Sequence, residues 1–198
     1  MAVFGVSFGV LARAAGLGIF APIVMSATTF AGSSQFAAVS ILGAGGGVAT
    51  AVVAAVLLNT RYAPIGLAAA GALRGGAMRR SLEAQLVVDE SWALSKRAGG
   101  RFDRGMLMGA GLTLYVAWVV GTGVGAMAGE ALGDPEALGL DAAFPALFLA
   151  LLAAQVRSGA TAAAALAGAA LALSLTPVTP AGIPVLAATA ACLIGVRR

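Results

Sequence analysis

Apolar runs of membrane-helix length, separated by short polar stretches, set the pattern of this chain. Residues 2–12 are apolar and close on Arg13-Ala14-Ala15-Gly16. Residues 18–42 follow without a charge, then a turn, Gly43-Ala44-Gly45-Gly46-Gly47, and a third run at 48–73. As one unbroken helix the second run would be about 37 Å long, more than the ~30 Å hydrocarbon core of a bilayer. The third run holds Asn59 and Arg61 near its centre and Pro64 just beyond. The missing backbone donor at Pro64 predicts a kink or a break there. Further runs at 105–129, 142–156, 158–175 and 183–196 bring the expected number of spans to about seven. The opening run is short for a span of about 20 residues. With no basic leader and no small-residue cleavage site, it reads as a helix that starts late, not as a signal peptide.

Residues 74–104 form the long hydrophilic stretch, with seven Lys/Arg against four acids. A helix over 78–93 is expected to lie on the membrane surface, with Leu82, Leu86, Val87, Val88 and Trp92 on its apolar side. Residues 130–141 carry four acids and no base. The positive-inside rule makes 74–104 cytoplasmic and 130–141 external. Arg13, Arg157 and Arg197-Arg198 then all fall inside, and the N-terminus falls outside. Three spans on either side of the basic loop necessarily run in opposite senses, the layout of inverted-repeat transporters. The expected architecture is an all-α integral membrane protein, a single polytopic domain over residues 1–198. It is read as a 3+3 inverted repeat plus one span, with helices broken or kinked near the midplane.

Composition supports that class and removes others. Of 198 residues, 60% are apolar and 10% charged, against about 25% charged in soluble domains. Mean hydropathy is +0.97. The long uncharged runs argue against barrel strands, which alternate in short segments. A net charge of +4, concentrated between spans, carries topology and does not suggest nucleic acid. The single cysteine, Cys192, excludes an internal disulfide. There is no histidine, so imidazole ligands, bases and proton relays are absent. The glycines at 43–47 are not followed by Lys-Ser/Thr, so they do not form a phosphate loop. No HExxH, GxSxG or paired intramembrane aspartates occur, and neither catalytic residues, a metal nor a cofactor is expected.

The candidate chemistry lies in polar groups set inside apolar runs. Thr28-Thr29-Phe30-Ala31-Gly32-Ser33-Ser34-Gln35-Phe36 interrupts the second run, and Asn59-Thr60-Arg61-Tyr62 the third. Lipid cannot satisfy such groups, so they face a partner helix or a wet cavity. Counted from the outer ends of their runs, Gln35 and Asn59 lie about 10 and 17 Å deep, with Ser33 and Ser34 between. The two sets are therefore expected to line one site. Their hydroxyls and carboxamides suit the zwitterionic head of an amino acid, and the surrounding Ala, Val and Phe an apolar side chain. Packing between helices explains the hydroxyls and Gln35 equally well. Arg61 is sharper. A mid-span arginine costs at least about 2.5–3.5 kcal/mol on insertion scales and is normally paired or facing a cavity. It suits a substrate carboxylate. Asp89 and Glu90, adjacent acids in the hydrophilic stretch, are read as gating or coupling groups facing Arg13, Arg61 or Arg157.

Four blocks carry a family likeness. Phe4-Gly5-Val6-Ser7-Phe8-Gly9-Val10-Leu11-Ala12 runs into Ala15-Gly16-Leu17; Phe30-Ala31-Gly32-Ser33-Ser34-Gln35-Phe36 is an FAGxxQF block. Leu58-Asn59-Thr60-Arg61-Tyr62 and Val88-Asp89-Glu90-Ser91-Trp92-Ala93 complete the series. Over residues 4–93 the chain resembles the AzlC family, the large subunit of bacterial branched-chain amino acid exporters. The resemblance implies export of valine, leucine, isoleucine and analogues across the bacterial plasma membrane, together with a small hydrophobic partner subunit, AzlD. Tyr62 stands where the family commonly has histidine, so no step requiring that imidazole applies here. The rival readings are a non-transporting membrane scaffold and a transporter of another small metabolite.

Overall fold

The computed structural model describes residues 1–129, 146, 149, 152–153, 156–179 and 183–192. The acidic stretch at 130–141, most of the run at 142–156 and Arg197-Arg198 lie outside the described residues. Within them every regular element is helical. In order these are α1 (Ala2–Ala14), α2 (Phe20–Thr29), α3 (Gly32–Gly43), α4 (Val48–Asn59) and α5 (Tyr62–Ala69). Then come α6 (Ala77–Ala84), α7 (Asp89–Ser95), α8 (Arg104–Ala128), α9 (Gly159–Leu175) and α10 (Ile183–Ala188). Two stretches, Val48–Ala72 and Arg104–Ala128, are long and apolar enough to cross a membrane; α1, α2 and α9 are apolar but shorter. The count of about seven is thus not reached among the described residues.

The closest packing is between α1 and α8, and glycine makes it possible. Gly5 and Gly9 on α1 meet Gly121 and Gly125 on α8, one residue in four on each side. A methyl group on Gly5 would stand 2.7 Å from the Trp118 carbonyl oxygen. One on Gly9 would overlap the Thr122 carbonyl, and one on Gly125 the Val6 carbonyl. Backbones in direct contact gain dispersion energy that lipid cannot match, which drives helix association in a bilayer. Beside this seam sits an aromatic cluster. Phe8 stacks on Trp118 at 5.9 Å between ring centroids, and Phe36 meets both rings edge-on at 5.4 and 5.7 Å.

The second apolar run is broken, and the break falls at Phe30-Ala31. Phe30 adopts a left-handed conformation (φ 40°, ψ 51°) that L-residues other than Gly, Asn and Asp seldom visit. Side chains from elsewhere satisfy the backbone groups the break releases. The Tyr115 hydroxyl donates to the Ala27 carbonyl at 2.8 Å, and Gln85 Nε2 donates to the Thr28 carbonyl at 2.7 Å. On the α3 side the Ala31 amide donates to Gln35 Oε1 at 3.2 Å, and Ser34 Oγ donates to the Ala31 carbonyl at 2.8 Å. Gly32 has no side chain because the Trp118 indole lies 3.0 Å from where its Cβ would be.

Residues 48–72 keep helical torsions through Thr60 and Arg61. Pro64 cannot donate to the Thr60 carbonyl, and Ala63 takes that acceptor instead at 3.1 Å, tightening one turn without breaking the helix. The turn after α3, with Gly45 at φ 78°, brings Ala51 and Ala54 of α4 against Ala38 and Ile41.

The single surface helix expected over 78–93 is two helices. Val88 is extended (φ −117°, ψ 170°) between α6 and α7, and Ser91 Oγ accepts from its amide at 3.0 Å while donating to the Leu86 carbonyl at 2.8 Å. Val87 and Val88 are buried and Leu82 is exposed, so these residues do not share one apolar face. Glu83, itself buried, anchors α6. Its carboxylate takes both Arg104 nitrogens at 2.5 and 2.6 Å, Arg79 Nε at 3.0 Å and the Arg74 amide at 2.9 Å. These bonds hold its pKa far below the usual carboxylate range, the Arg104 bonds contributing most.

Candidate functional site

The breaks bring three helix starts to one place. The N-termini of α3 and α7 and the first turn of α5 enclose a cavity of about 80 Å³. Its polar wall is Ser33, Arg61, Tyr62, Asp89 and Glu90, and its apolar wall includes Phe4, Phe30, Val88 and Trp118. Arg61 is the hub. Its Nη2 donates to Ser33 Oγ at 2.7 Å and pairs with Asp89 Oδ2 at 3.1 Å. Tyr62 Oη lies 3.4 Å from the same nitrogen. Arg61 Nε is buried with no partner. The guanidinium and carboxylate are 36% and 38% exposed, so the pair faces open space and is not sealed in protein.

The electrostatics follow from the local backbone. Gly32 and Ser33 are the first two residues of α3, whose unpaired amides and dipole favour an anion. Asp89 and Glu90 open α7, where acids are favoured for the same reason. An anion-seeking end and two carboxylates therefore share the space around one guanidinium.

The residues singled out by sequence separate into three places. Ser33, Arg61, Asp89 and Glu90 meet in this cavity. Gln35 and Ser34 are buried behind its wall. Gln35 Oε1 accepts from Trp118 Nε1 at 3.1 Å, and its Nε2 donates to Ser26 Oγ at 3.0 Å. Ser26 continues to Thr122 Oγ1 at 2.9 Å, and Thr122 donates to the Trp118 carbonyl at 2.9 Å. Asn59 lines a neighbouring cavity that also touches Thr29, Ala31 and Gln85. Members of both polar sets line each of the two cavities, while Ser34 and Gln35 line neither. Counting along the run gave depth but not direction: two residues apart on α3, Ser33 and Gln35 lie on nearly opposite faces, Ser33 towards Arg61 and Gln35 towards Trp118.

Two participants went unmarked by sequence reasoning. Trp118 is both cavity wall and partner of Gln35. Its signal was position, since tryptophans of membrane helices gather at the interfaces and this one lies mid-helix. Glu83 is the other, and its spacing of four from Arg79 was the available cue.

The model of the family described as AzlC protein matches residues 1–132, which include every residue of the cavity. The chain belongs to the AzlC family. Among curated relatives, the branched-chain amino acid transport protein AzlC of Bacillus subtilis (strain 168) is 26% identical over 154 residues. That alignment covers 76% of this chain and 60% of the relative, so the chain spans about 60% of the relative's length. No solved structure matches.

Proposed function

We propose that this AzlC-family protein is the large subunit of a plasma-membrane transporter that exports branched-chain amino acids. The observation that carries the reading is the pairing in one cavity of a zwitterion's two counterparts with apolar walls. Arg61 and the α3 N-terminus receive the carboxylate, and Asp89 and Glu90 the ammonium. Phe4, Phe30, Val88 and Trp118 favour an aliphatic side chain over a polar one. Ser33 steadies Arg61, while Gln35 and Ser34 shape the break that presents α3 and act on substrate through it.

Asp89 pairs with the guanidinium that the carboxylate needs. Binding is therefore an exchange: the substrate carboxylate takes Arg61, and Asp89 is released to join Glu90 around the ammonium. That exchange is the gate. Asp89 and Glu90 are thus the gating and coupling groups of this reading. A cavity of about 80 Å³ is well below the ~300–1,000 Å³ of ordinary ligand pockets, so it takes the head group first and widens for the rest. Export, multi-pass insertion and work with a small AzlD-like membrane partner belong to this reading. They rest on the family, the relative's name and the apolar helices.

The test is intracellular leucine and valine in cells fed a leucine–valine dipeptide, with the protein and its small partner expressed. Arg61→Ala removes charge-assisted hydrogen bonds worth about 1.5–3 kcal/mol each, about ten- to hundredfold in affinity. Both amino acids should accumulate as in cells lacking the protein, at unchanged membrane levels. Arg61→Lys keeps the charge without the planar fork and should fall between. Full export by Arg61→Ala at normal levels overturns the assignment.

A further inference from the structure

The neighbouring cavity measures about 270 Å³ and is more than three times larger than the first. Phe30, Tyr62 and Val88 line both, so these three side chains form a partition between them. Beyond the partition no charged side chain among the described residues lines the wall. Asn59 does, and its Oδ1 is a buried acceptor without a partner. A hydrogen-bond acceptor left unsatisfied in a chamber of this size is costly unless a donor enters.

The partition is also tied to the ion pair by the chain itself. Tyr62 follows Arg61 and Val88 precedes Asp89. The 3.1 Å Arg61–Asp89 contact thus clamps two of the three partition residues from the side of the first cavity. The third, Phe30, sits at the helix break with its ring edge-on to Tyr115 at 5.1 Å.

We propose that the Asn59 chamber is a second substrate station on one route, separated from the Arg61 cavity by a gate of Phe30, Tyr62 and Val88. The ligand is the same small aliphatic amino acid, its ammonium donating to Asn59 Oδ1 and its side chain against Ala31, Val87 and Val88. The proposal rests on the reading that the Arg61 cavity binds such a substrate. The larger chamber holds the whole molecule; the smaller receives its charged head. When the carboxylate takes Arg61 from Asp89, α5 and α7 lose the clamp that holds Tyr62 to Val88, and the gate parts.

Cysteine alkylation in proteoliposomes tests this. In a Cys192→Ser background, Phe4→Cys reports on the first cavity and Ala84→Cys, on the chamber wall with Asn59 intact, on the second; Thr29→Cys, on the same wall, replaces Ala84→Cys if that variant does not insert. N-ethylmaleimide labelling is followed with and without leucine at about ten times its dissociation constant, where occupancy slows a protected site about tenfold. Slower labelling at both positions is the expected result. Protection at Phe4→Cys alone overturns the second station and leaves the Arg61 reading standing. Protection at neither position overturns both. Asp89→Asn should open the gate without substrate, so that unliganded Phe4→Cys labels faster; an unchanged rate overturns the clamp.

Discussion

Replacing Gln35 by leucine removes a carboxamide and keeps nearly the same volume, so the change isolates three hydrogen bonds. Lost are the acceptor for Trp118 Nε1 at 3.1 Å, the acceptor for the Ala31 amide at 3.2 Å and the donor to Ser26 at 3.0 Å. Hydrogen bonds between membrane helices average about 0.6 kcal/mol each, with a ceiling near 1.7. Leaving a buried indole N–H and a buried amide unpaired costs about 1–3 kcal/mol apiece. The expected loss of stability is therefore about 2–6 kcal/mol. Equilibrium unfolding in mixed micelles, followed by tryptophan fluorescence, measures it, and leucine binding is measured on the protein that remains folded. Affinity should stay within about threefold of the parent, because Gln35 does not reach the cavity. Gln35→Glu keeps an acceptor for Trp118 and should fall between the two. Unchanged stability with abolished binding would refute the reasoning and put the carboxamide on the substrate.

Two further outcomes follow from contacts away from the cavity. Gly125→Leu places a side chain where the Val6 carbonyl now lies, so α1 should separate from α8, read as faster proteolysis of the N-terminal segment and a lower unfolding midpoint; Gly123→Leu, on the same helix with no close neighbour but Ile23, should behave as the parent. Glu83 has a depressed pKa in the folded protein, so the stability it contributes is complete above its ordinary range near pH 4.3–4.5 and is lost as pH falls below it. A melting series from pH 7 to pH 3 should show the parent falling towards Glu83→Gln, which lacks that loss; parallel curves would remove Glu83 from the account.

The class of the protein was legible because hydropathy is a sum over many residues. Runs at 18–42, 48–73 and 105–129 all became apolar helices, although the first is split. Arg61 was legible as a residue that must be paired or face a cavity, because a charge inside an apolar run is expensive. What pattern could not supply was azimuth. Gln35 and Ser33 are two residues apart and both polar, yet one faces Trp118 and the other Arg61. Any helix sends positions i and i+2 to nearly opposite faces; which of those faces meets Arg61 depends on where α3 starts, and that is set by the left-handed Phe30, which no composition rule anticipates. The 78–93 segment fails for a related reason. Leu86-Val87-Val88 looked like one face of a helix, but two buried valines beside Ser91 make a better extended link, with the serine hydroxyl serving the backbone. Asp89 and Glu90 thereby reach the cavity wall and Asp89 pairs with Arg61, where spacing alone had given them three possible arginines.

The glycine seam has a bearing on motion. Side chains between helices can change rotamer and let the helices slide, but bare backbones at van der Waals distance leave only one way to fit. Through the seam α1 and α8 move as a unit, and Trp118 adds α3 to that body through Gln35. Arg61, Asn59 and Tyr62 stand on the stretch Val48–Ala72, which is mostly exposed or half-buried and meets α3 through small residues, Ala51 and Ala54. In the proposed transport cycle, displacement is expected of that stretch and of α7 across from it. Spin labels placed on α1 and α8 should keep one separation through the cycle, and labels on α5 and α8 should show two.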